Sequence, residues 1–290
     1  MINYEELTEY VHSFIQYAIH EDIGSGDHSS LSCIPEDKKG IARLLIKQDG
    51  VIAGVSIAEV VFRIIDPSLS FTGFINDGDT IKKGDIPFEI EGSVHSILKS
   101  ERLVLNIMQR MSGIATETRK YVERLNGLKT TILDTRKTTP GFRFFEKFAV
   151  RTGGGENHRM GLFDMILLKD NHIDYAGGID KAISTTRKYL ADNPALGHLR
   201  IEIEARTLDD VAKVLQTGGV HRIMLDNFSM DCTKEAVSMI GGRFETESSG
   251  NITLDNIKDY ALCGVDFISV GALTHQVKSL DMSLKAIKAP

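Results

Sequence analysis

The feature that most constrains the fold of this chain is a repeat of strand and helix in its second half. From residue 130 onward, short β-prone runs follow one another, and the later ones recur about every 20 residues with helical stretches between them. The runs cover 130–133, 165–168, 199–203, 222–225, 242–246 and 267–270, and the helical stretches cover 208–217, 233–240 and 254–263. This alternation predicts βα units and a parallel sheet.

Polar residues directly follow these predicted strands. They are Asp134 with Arg136, Lys169, Glu204, Asp226, Glu247 with Ser248, and Gly271. In a β/α barrel the loops of all units converge at the carboxyl ends of the strands, where functional residues collect. A complete barrel needs roughly 250 residues, and this half of the chain is shorter. We therefore expect an incomplete (β/α) barrel with its functional residues on one rim.

The first part of the chain has a different pattern. A helical stripe over 4–19 precedes short β-prone pieces at 40–48, 50–54, 69–75 and 86–92, with a helical stretch over 55–65 and a longer one over 100–119. The fold class is therefore α/β with two domains. We predict an α/β sandwich domain over 1–112 and the incomplete barrel over 113–275, with the tail 276–290 packing back on the first domain.

A cationic segment lies inside an acidic chain. The net charge is -6, yet residues 134–172 hold seven Lys or Arg against five Asp or Glu. This local concentration favours a small anionic ligand, because nucleic-acid-binding proteins usually spread positive charge over a broad face. No apolar run approaches the length of a membrane span, and the first residues lack the pattern of a secretory signal. We expect a cytoplasmic protein that binds neither nucleic acid nor membrane.

The predicted rim carries two kinds of charge. Its cationic side, contributed by the first two loops, consists of Arg136, Lys137, His158, Arg159 and Lys169. Arginine forks match carboxylates and phosphates. Its acidic side, Glu204, Asp226 and Glu247, would repel an anion unless a hard cation such as Mg²⁺ lay between them. Small-residue turns at 248–251 and 270–272 offer backbone N–H groups to anions. The rim therefore predicts a Mg²⁺-assisted transfer that involves a phosphorylated substrate.

Motifs along nearly the whole chain resemble the quinolinate phosphoribosyltransferase family, the carboxylating nicotinate-nucleotide pyrophosphorylases. Three lie in the cationic segment: Asp-Thr-Arg-Lys-Thr-Thr-Pro-Gly at 134–141, Gly-Gly-Gly-Glu-Asn-His-Arg at 153–159 and Leu-Lys-Asp-Asn-His at 168–172. Others follow the family's order at 21–27, 101–106, 111–116, 247–250 and 270–275. One departure is Asn251, where the family often has glycine. Asparagine also adopts left-handed turns, so the phosphate-binding turn is expected to persist.

The resemblance implies an N-terminal open sandwich joined to an incomplete α/β barrel. It implies a homodimer with a shared active site, or a higher oligomer of dimers, and Mg²⁺ as cofactor. The implied reaction joins quinolinate to phosphoribosyl pyrophosphate. Its products are nicotinate mononucleotide, pyrophosphate and CO₂, a step of NAD biosynthesis.

Carried over residue by residue, the resemblance also implies roles for the substrate-binding residues. Arg136, His158, Arg159 and Lys169 would hold the two quinolinate carboxylates. Lys137 would lie between this dicarboxylate and the phosphoribosyl donor.

The resemblance likewise implies roles for the residues that bind the phosphoribosyl donor. Glu204 and Asp226 would hold the ribose hydroxyls and the Mg²⁺, and together with Lys137 they would form the catalytic set. Arg102 would reach in from the neighbouring subunit. The phosphate would be cradled by Ser249, Gly250, Asn251, Val270, Gly271 and Ala272.

Two other functions deserve comparison. A paralogous pyrophosphorylase-like protein associated with molybdenum transport shares the fold and much of the motif set, but the complete set of His158, Arg159 and Lys169 argues for a dicarboxylate pocket. A catalytically silent ligand sensor would have no need of the pair Glu204 and Asp226.

Residues outside the motif roles carry weaker expectations. Glu146 and Lys147 are expected on a solvated helix face. The nearby phenylalanines, Phe142, Phe144, Phe145 and Phe148, are expected to pack a helix. His172 and His275 could contact substrate directly or support residues that do.

Overall fold

The computed structural model of the chain describes residues 4–287. Its helices are α1 (Tyr4–Ile23), α2 (His28–Cys33), α3 (Val55–Ile65), α4 (Val94–Arg124), α5 (Arg143–Thr152), α6 (Asp170–Ala176), α7 (Ile179–Asp192), α8 (Leu208–Thr217), α9 (Met230–Ile240), α10 (Ile257–Leu262) and α11 (Ala272–His275). Its strands are β1 (Lys39–Ile46), β2 (Gly50–Val51), β3 (Ser70–Gly73), β4 (Thr80–Ile81), β5 (Phe88–Ser93), β6 (Thr131–Leu133), β7 (Ile166–Leu168), β8 (Ile201–Ala205), β9 (Arg222–Asp226), β10 (Glu245–Ser249), β11 (Phe267–Ser269) and β12 (Met282–Ile287). None of the helices within 4–287 has the length and apolarity needed to cross a membrane.

The described residues form two compact units. The first contains the residues up to 119, residues 138–154 and the residues from 273 onward, and the second contains 120–137 and 155–272. These bounds differ from the predicted domains chiefly because 138–154 belongs to the first unit. Residues 1–3 and 288–290, the outer ends of the predicted first domain and tail, lie outside the described residues.

The first unit contains a four-stranded antiparallel sheet in the order β12-β1-β5-β3. Strand β12, from the tail of the chain, pairs with β1 from Ile46↔Met282 to Ile41↔Ile287. Helix α3 buries an apolar stripe at helical spacing that includes Val61 and Phe62. The ring of Phe62 lies 5.8 Å from that of Phe88 on β5. This combination of helix and sheet is the predicted α/β sandwich.

The second unit contains a six-stranded parallel sheet in the order β6-β11-β10-β9-β8-β7. Each strand from β7 to β11 lies beside its successor, and the last strand returns to pair with the first, which is the order that a barrel produces. Among residues 4–287, only an isolated bridge, Leu133↔Glu156, continues this pattern beyond β6, and β6 and β7 do not pair with each other. The predicted incomplete barrel is therefore confirmed.

Strand β10 begins three residues later than the predicted strand 242–246. Gly241 and Gly242 have φ angles of 57° and 72°, so the chain leaves α9 through a left-handed turn before it becomes extended. As a consequence Glu247, expected just after a strand, lies in the middle of β10 and is fully buried. It does not belong to the exposed acidic side of the rim.

The expectation of a solvated face at Glu146 and Lys147 is wrong, because both side chains are fully buried in α5. Glu146 accepts hydrogen bonds from Arg110 on α4 at 2.9 Å and from the backbone N–H of Thr139 at 3.1 Å. The phenylalanines pack as expected, with Phe142 and Phe145 stacked at 4.7 Å. An ion pair therefore fixes the start of α5 and the turn before it.

Candidate functional site

A cavity of about 570 Å³ opens at the carboxyl ends of the parallel strands. It is lined by Thr135, Arg136, Lys137, His158, Arg159, Leu167, Lys169, Glu204, Met224, Asp226, Asn227, Ser249, Gly250, Asn251 and Ser269. The structure thus brings ten of the predicted site residues together within the second unit, from the last residues of parallel strands and from the loops between strands and helices.

Two arginines dominate the cationic wall of this cavity. Arg159 is only 8% exposed, and burial together with the charge of Arg136 lowers the pKa of its guanidinium. One of its nitrogens, Nη1, donates to the carbonyl of Met165 at 3.2 Å, whereas Nε has no hydrogen-bond partner among residues 4–287. Two like charges held close together with a buried, unmatched donor are poorly stabilised without an anion.

The two lysines of this wall are more accessible. Lys137 is exposed in the loop after β6, where its backbone N–H donates to Oγ1 of Thr135 at 3.1 Å. Lys169 ends β7, and its Nζ lies 3.3 Å from Oε1 of Glu204 with half of the side chain exposed. Both ammonium groups can therefore move to meet a ligand.

The imidazole of His158 is held by the protein itself. Its Nδ1 accepts the backbone N–H of Arg159 at 2.7 Å, and its Nε2 lies 2.9 Å from Oε2 of Glu202. Its own backbone N–H donates to Asp134 at 2.9 Å. Because Nδ1 accepts a hydrogen bond, the proton of the neutral ring is assigned to Nε2. The ring orients the backbone of Arg159 at the base of the cavity.

A buried charged cluster lies below His158. Glu202 and Glu247 are fully buried, and Nη1 of Arg222 lies 2.8 Å from Oε2 of Glu247. Burial raises the pKa of each carboxyl to about 7, the nearby Arg222 opposes the shift at both carboxyls, and His158 also opposes it at Glu247. Oxygen and nitrogen atoms of His158, Glu202 and Glu247 lie within 4.8 Å of one another. With Arg222 against the carboxylates, this group is better suited to supporting the site than to binding a cation.

Sequence reasoning missed most of this cluster, although a signal was present. Glu202 stands two residues before Glu204 in β8, so both point to the same face of the sheet. Arg222 pairs with Glu202 in register on the neighbouring strand. The alternation of Ile201, Glu202, Ile203 and Glu204 could have revealed a second carboxylate.

The acidic wall consists of Glu204 and Asp226, at the ends of the adjacent strands β8 and β9. Glu204 accepts the backbone N–H of Asp170 at 3.0 Å through Oε2. Asp226 accepts Nδ2 of Asn227 at 2.9 Å through Oδ2. Two carboxylates on neighbouring strands that line one cavity match the oxygen ligands that Mg²⁺ takes. The carboxylate oxygens of Glu204 and Asp226 therefore fit a Mg²⁺ ion.

The turn after β10 forms the third side of the cavity. Ser249, Gly250 and Asn251 line it, and the last two have φ angles of 93° and 52°. The other predicted phosphate ligands, Val270, Gly271 and Ala272, do not line this cavity. Val270 is 1% exposed, and its backbone N–H donates to Leu133 within the sheet at 3.0 Å.

Three further residues lie elsewhere. Arg102 belongs to the first unit, is exposed on α4, and lines a separate cavity of about 320 Å³ that also includes Arg110. Nδ1 of His172 accepts the backbone N–H of Lys169 at 3.0 Å and so fixes the start of α6. His275 is exposed at the end of α11. Neither histidine lines the cavity of the second unit.

Comparison with known proteins gives consistent matches over nearly the whole chain. Residues 27–112 match the family model of the quinolinate phosphoribosyl transferase N-terminal domain, and residues 114–285 match that of the C-terminal domain. A quinolinate phosphoribosyltransferase [decarboxylating] of Nicotiana tabacum is 46% identical over 93% of this chain and 81% of its own length. A probable nicotinate-nucleotide pyrophosphorylase [carboxylating] of Bacillus subtilis is 41% identical over 91% of this chain and 89% of its own. Some plant relatives are named as mitochondrial or chloroplastic.

The fold of this chain is also similar to the folds of solved structures. The crystal structure of NadC from Streptococcus pyogenes superposes with a TM-score of 0.89 at 40% identity, and the match covers 95% of each chain. The nicotinate-nucleotide pyrophosphorylase of Francisella tularensis superposes with a TM-score of 0.87 at 38% identity, covering 96% of each chain.

Proposed function

Because this chain belongs to the quinolinate phosphoribosyltransferase family, we propose that its cavity transfers the phosphoribosyl group of phosphoribosyl pyrophosphate to quinolinate. Decarboxylation follows and gives nicotinate mononucleotide, pyrophosphate and CO₂, a step of NAD biosynthesis. The observation that carries this proposal is a single cavity with a cationic wall, two strand-end carboxylates and a left-handed turn. These are the groups that a dicarboxylate and a phosphorylated sugar require.

The cationic wall is assigned to quinolinate. Arg136, Arg159 and Lys169 bind its two carboxylates, because guanidinium forks match carboxylates with two parallel hydrogen bonds. Burial and, after it, the charge of Arg136 lower the pKa of the Arg159 guanidinium, and an incoming dianion would relieve the repulsion between the two arginines. His158 contributes by orienting the backbone of Arg159, in keeping with the bond between them.

The opposite side is assigned to the phosphoribosyl donor. Glu204 and Asp226 hold the ribose hydroxyls and a Mg²⁺ ion, which when bound supplies positive charge to the pyrophosphate. The backbone of Ser249, Gly250 and Asn251 and the hydroxyl of Ser249 receive the 5′-phosphate, whereas Val270, Gly271 and Ala272 do not line this cavity.

The chemistry needs no protein nucleophile. As the pyridine nitrogen attacks C1 of the ribose, positive charge grows on the sugar ring, and the carboxylates of Glu204 and Asp226 stabilise it. Lys137 stabilises the negative charge between the two substrates. The alkylated ring is a pyridinium, which accepts the electron pair of the C–CO₂ bond as CO₂ leaves, and the ring carbon then takes up a proton. Holding two anions in line is the main task of the site.

The exposed Arg102 is assigned to the cavity of a second subunit. This assignment rests on the family motif at 101–106, because the cavity that Arg102 lines also contains two acids, Glu21 and Asp22, besides Arg110. In the proposed homodimer with shared active sites, Arg102 would contact the anionic substrates of the second subunit, and dimers can assemble further. The cytoplasmic location expected from the sequence stays a prediction.

The test is a product assay with a matched pair of variants. Purified protein with quinolinate, phosphoribosyl pyrophosphate and MgCl₂ should form nicotinate mononucleotide, pyrophosphate and CO₂ in equal amounts. Arg159→Lys keeps the charge but loses the planar fork, so the KM for quinolinate should rise at least about tenfold while the KM for the donor changes little. Arg151→Lys, an exchange at an exposed position of α5, is the control.

A second experiment tests the metal requirement by chelation. EDTA should abolish turnover and added Mg²⁺ should restore it, with Glu204→Gln raising the Mg²⁺ concentration needed for half-activation. The molybdenum-associated paralogue is not favoured, because the dicarboxylate-binding set is complete in this cavity. Absence of product with quinolinate under these conditions would refute the proposed activity.

A further inference from the structure

Two asparagines at the donor side have an unusual backbone. Asn227 and Asn251 are the non-glycine residues of 4–287 with positive φ, at 57° and 52°. Both line the cavity, one directly after β9 and the other just after β10. Left-handed conformations are uncommon for residues with a side chain, and they concentrate at functional sites. Their coincidence in one cavity suggests that the two turns share a task.

The side chain of Asn227 connects the two turns. Its Nδ2 donates to Oδ2 of Asp226 at 2.9 Å, and its Oδ1 accepts Nδ2 of Asn251 at 3.0 Å. Its backbone N–H donates to the carbonyl of Ser249 at 2.8 Å. One carboxamide therefore contacts the strand-end carboxylate and the turn after β10 at the same time.

Gly250 makes room for this carboxamide. A Cβ atom at position 250 would lie 2.2 Å from Oδ1 of Asn227, well inside van der Waals contact. The φ of 93° at Gly250 also favours glycine. The position of the Asn227 side chain therefore requires glycine at position 250, whether or not Gly250 also contacts a ligand.

The far side of the turn is fixed as well. Nδ2 of Asn256 donates to the carbonyl of Asn251 at 3.1 Å, and Oδ1 of Asn256 accepts the N–H of Thr253 at 2.8 Å. The turn is therefore anchored at one end to the residues before α10 and at the other end to Asn227. Removing the Asn227 side chain therefore frees only the end of the turn that faces Asp226, and the contacts with Asn256 remain.

We propose that Asn227 is a positioning residue for the phosphoribosyl donor, which it serves by locking the Asp226 carboxylate to the phosphate-binding turn. This inference rests on the proposed function. By holding Oδ2 of Asp226, the carboxamide orients the other carboxylate oxygen. By holding Asn251, it sets the distance between the ribose and phosphate subsites. Quinolinate, which binds on the opposite wall, does not depend on this link.

The substitution Asn227→Gly separates the carboxamide from the backbone. Glycine adopts the φ of 57° without strain, so the variant loses the side-chain link and keeps the turn. Gly250→Ala perturbs the same link from the other side, because its methyl group displaces the carboxamide. Asn126→Gly, at an exposed turn of the same unit that does not line the cavity, is the matched control.

The measurement is the Kd of each substrate by titration calorimetry in MgCl₂, together with the Mg²⁺ dependence of turnover. Asn227→Gly should weaken phosphoribosyl pyrophosphate binding about tenfold, which corresponds to about 1.4 kcal/mol and lies within the range of a hydrogen-bond loss. The Kd of quinolinate should change less than twofold, and half-activation should need more Mg²⁺. Gly250→Ala should have the same pattern, and Asn126→Gly should match the wild type. The double variant with Asn251→Gly should weaken donor binding by less than the product of the single effects.

The opposite outcomes overturn the inference. Unchanged donor affinity in Asn227→Gly, or an equal loss for both substrates, would show that the carboxamide has no specific role in donor binding. Additive effects of Asn227→Gly and Asn251→Gly would show that the two turns are not coupled. A wild-type protein that binds no phosphoribosyl pyrophosphate would instead refute the proposed function, and this inference with it.

Discussion

The buried carboxyl of Glu247 makes the stability of this protein depend on pH in a direction opposite to that of most acidic residues. Its side chain is fully buried, with Oε2 2.8 Å from Nη1 of Arg222 and 3.5 Å from Nε2 of His158. Burial, reinforced by the charge of Glu202, raises the pKa of Glu247 from 4.5 to about 7. The substitution Glu247→Gln keeps the shape and a hydrogen-bond acceptor for Arg222, and it removes the titration.

The direction in which the free energy of unfolding changes with pH follows from the protons bound by the folded and the unfolded chain. Between about pH 4.5 and 7 the folded chain keeps the proton on Glu247 while the unfolded chain has lost it, so the free energy of unfolding falls as pH rises. Below that window Glu247 is protonated in both the folded and the unfolded chain, and none of the stability has been lost. A raised pKa of about 7 against 4.5 corresponds to at most about 3 kcal/mol. Because Glu202 titrates with Glu247 as a pair, the loss is shared between the two carboxyls.

The assay is urea unfolding followed by circular dichroism at intervals from pH 4.5 to 8. Relative to the wild type, Glu247→Gln should gain stability as pH rises, by up to about 3 kcal/mol across this window. Glu202→Gln should change in the same direction. Glu235→Gln, on an exposed position of α9, should leave the pH profile parallel to that of the wild type. Parallel profiles for Glu247→Gln as well would refute the reasoning.

Three further experiments test other parts of the molecule. Arg136→Ala should abolish quinolinate binding in calorimetry while donor binding is largely kept, and unchanged quinolinate affinity would contradict its assignment. Mixing inactive Arg102→Ala with inactive Lys137→Ala should restore activity through hybrid dimers, whereas failure despite proven subunit exchange would count against a shared site. Glu146→Ala should lower the free energy of unfolding by about 3–5 kcal/mol, because it leaves the guanidinium of Arg110 without its buried partner; a loss below 1 kcal/mol would contradict this account.

The strand-end residues of the site were predictable because the repeat of strand and helix places them on one rim. Arg136, Lys169, Glu204 and Asp226 each follow a β-prone run in the sequence, and they line one cavity in the structure. Such a pattern locates the end of a strand only to within a few residues. That is why Glu247 was expected on the rim although it lies inside β10.

The interactions between side chains were not predictable in the same way. Lys147 and Glu146 look like solvent-facing residues of a charged helix, and only the packing of α5 shows that both are buried. The hydrogen bond that Nδ2 of Asn251 donates to Oδ1 of Asn227 joins two turns that lie 24 residues apart in sequence. Neither contact leaves a period or a motif in the sequence, because each depends on how separate elements pack.

The central claim is that the cationic wall recognises two carboxylates on one pyridine ring. Its most direct test is the ratio of kcat/KM for quinolinate to that for nicotinate, which has one carboxylate fewer, measured with phosphoribosyl pyrophosphate and Mg²⁺. A site in which two neighbouring guanidinium groups, those of Arg136 and Arg159, bind two carboxylates should prefer quinolinate by at least about a thousandfold. Equal turnover of nicotinate would contradict the account.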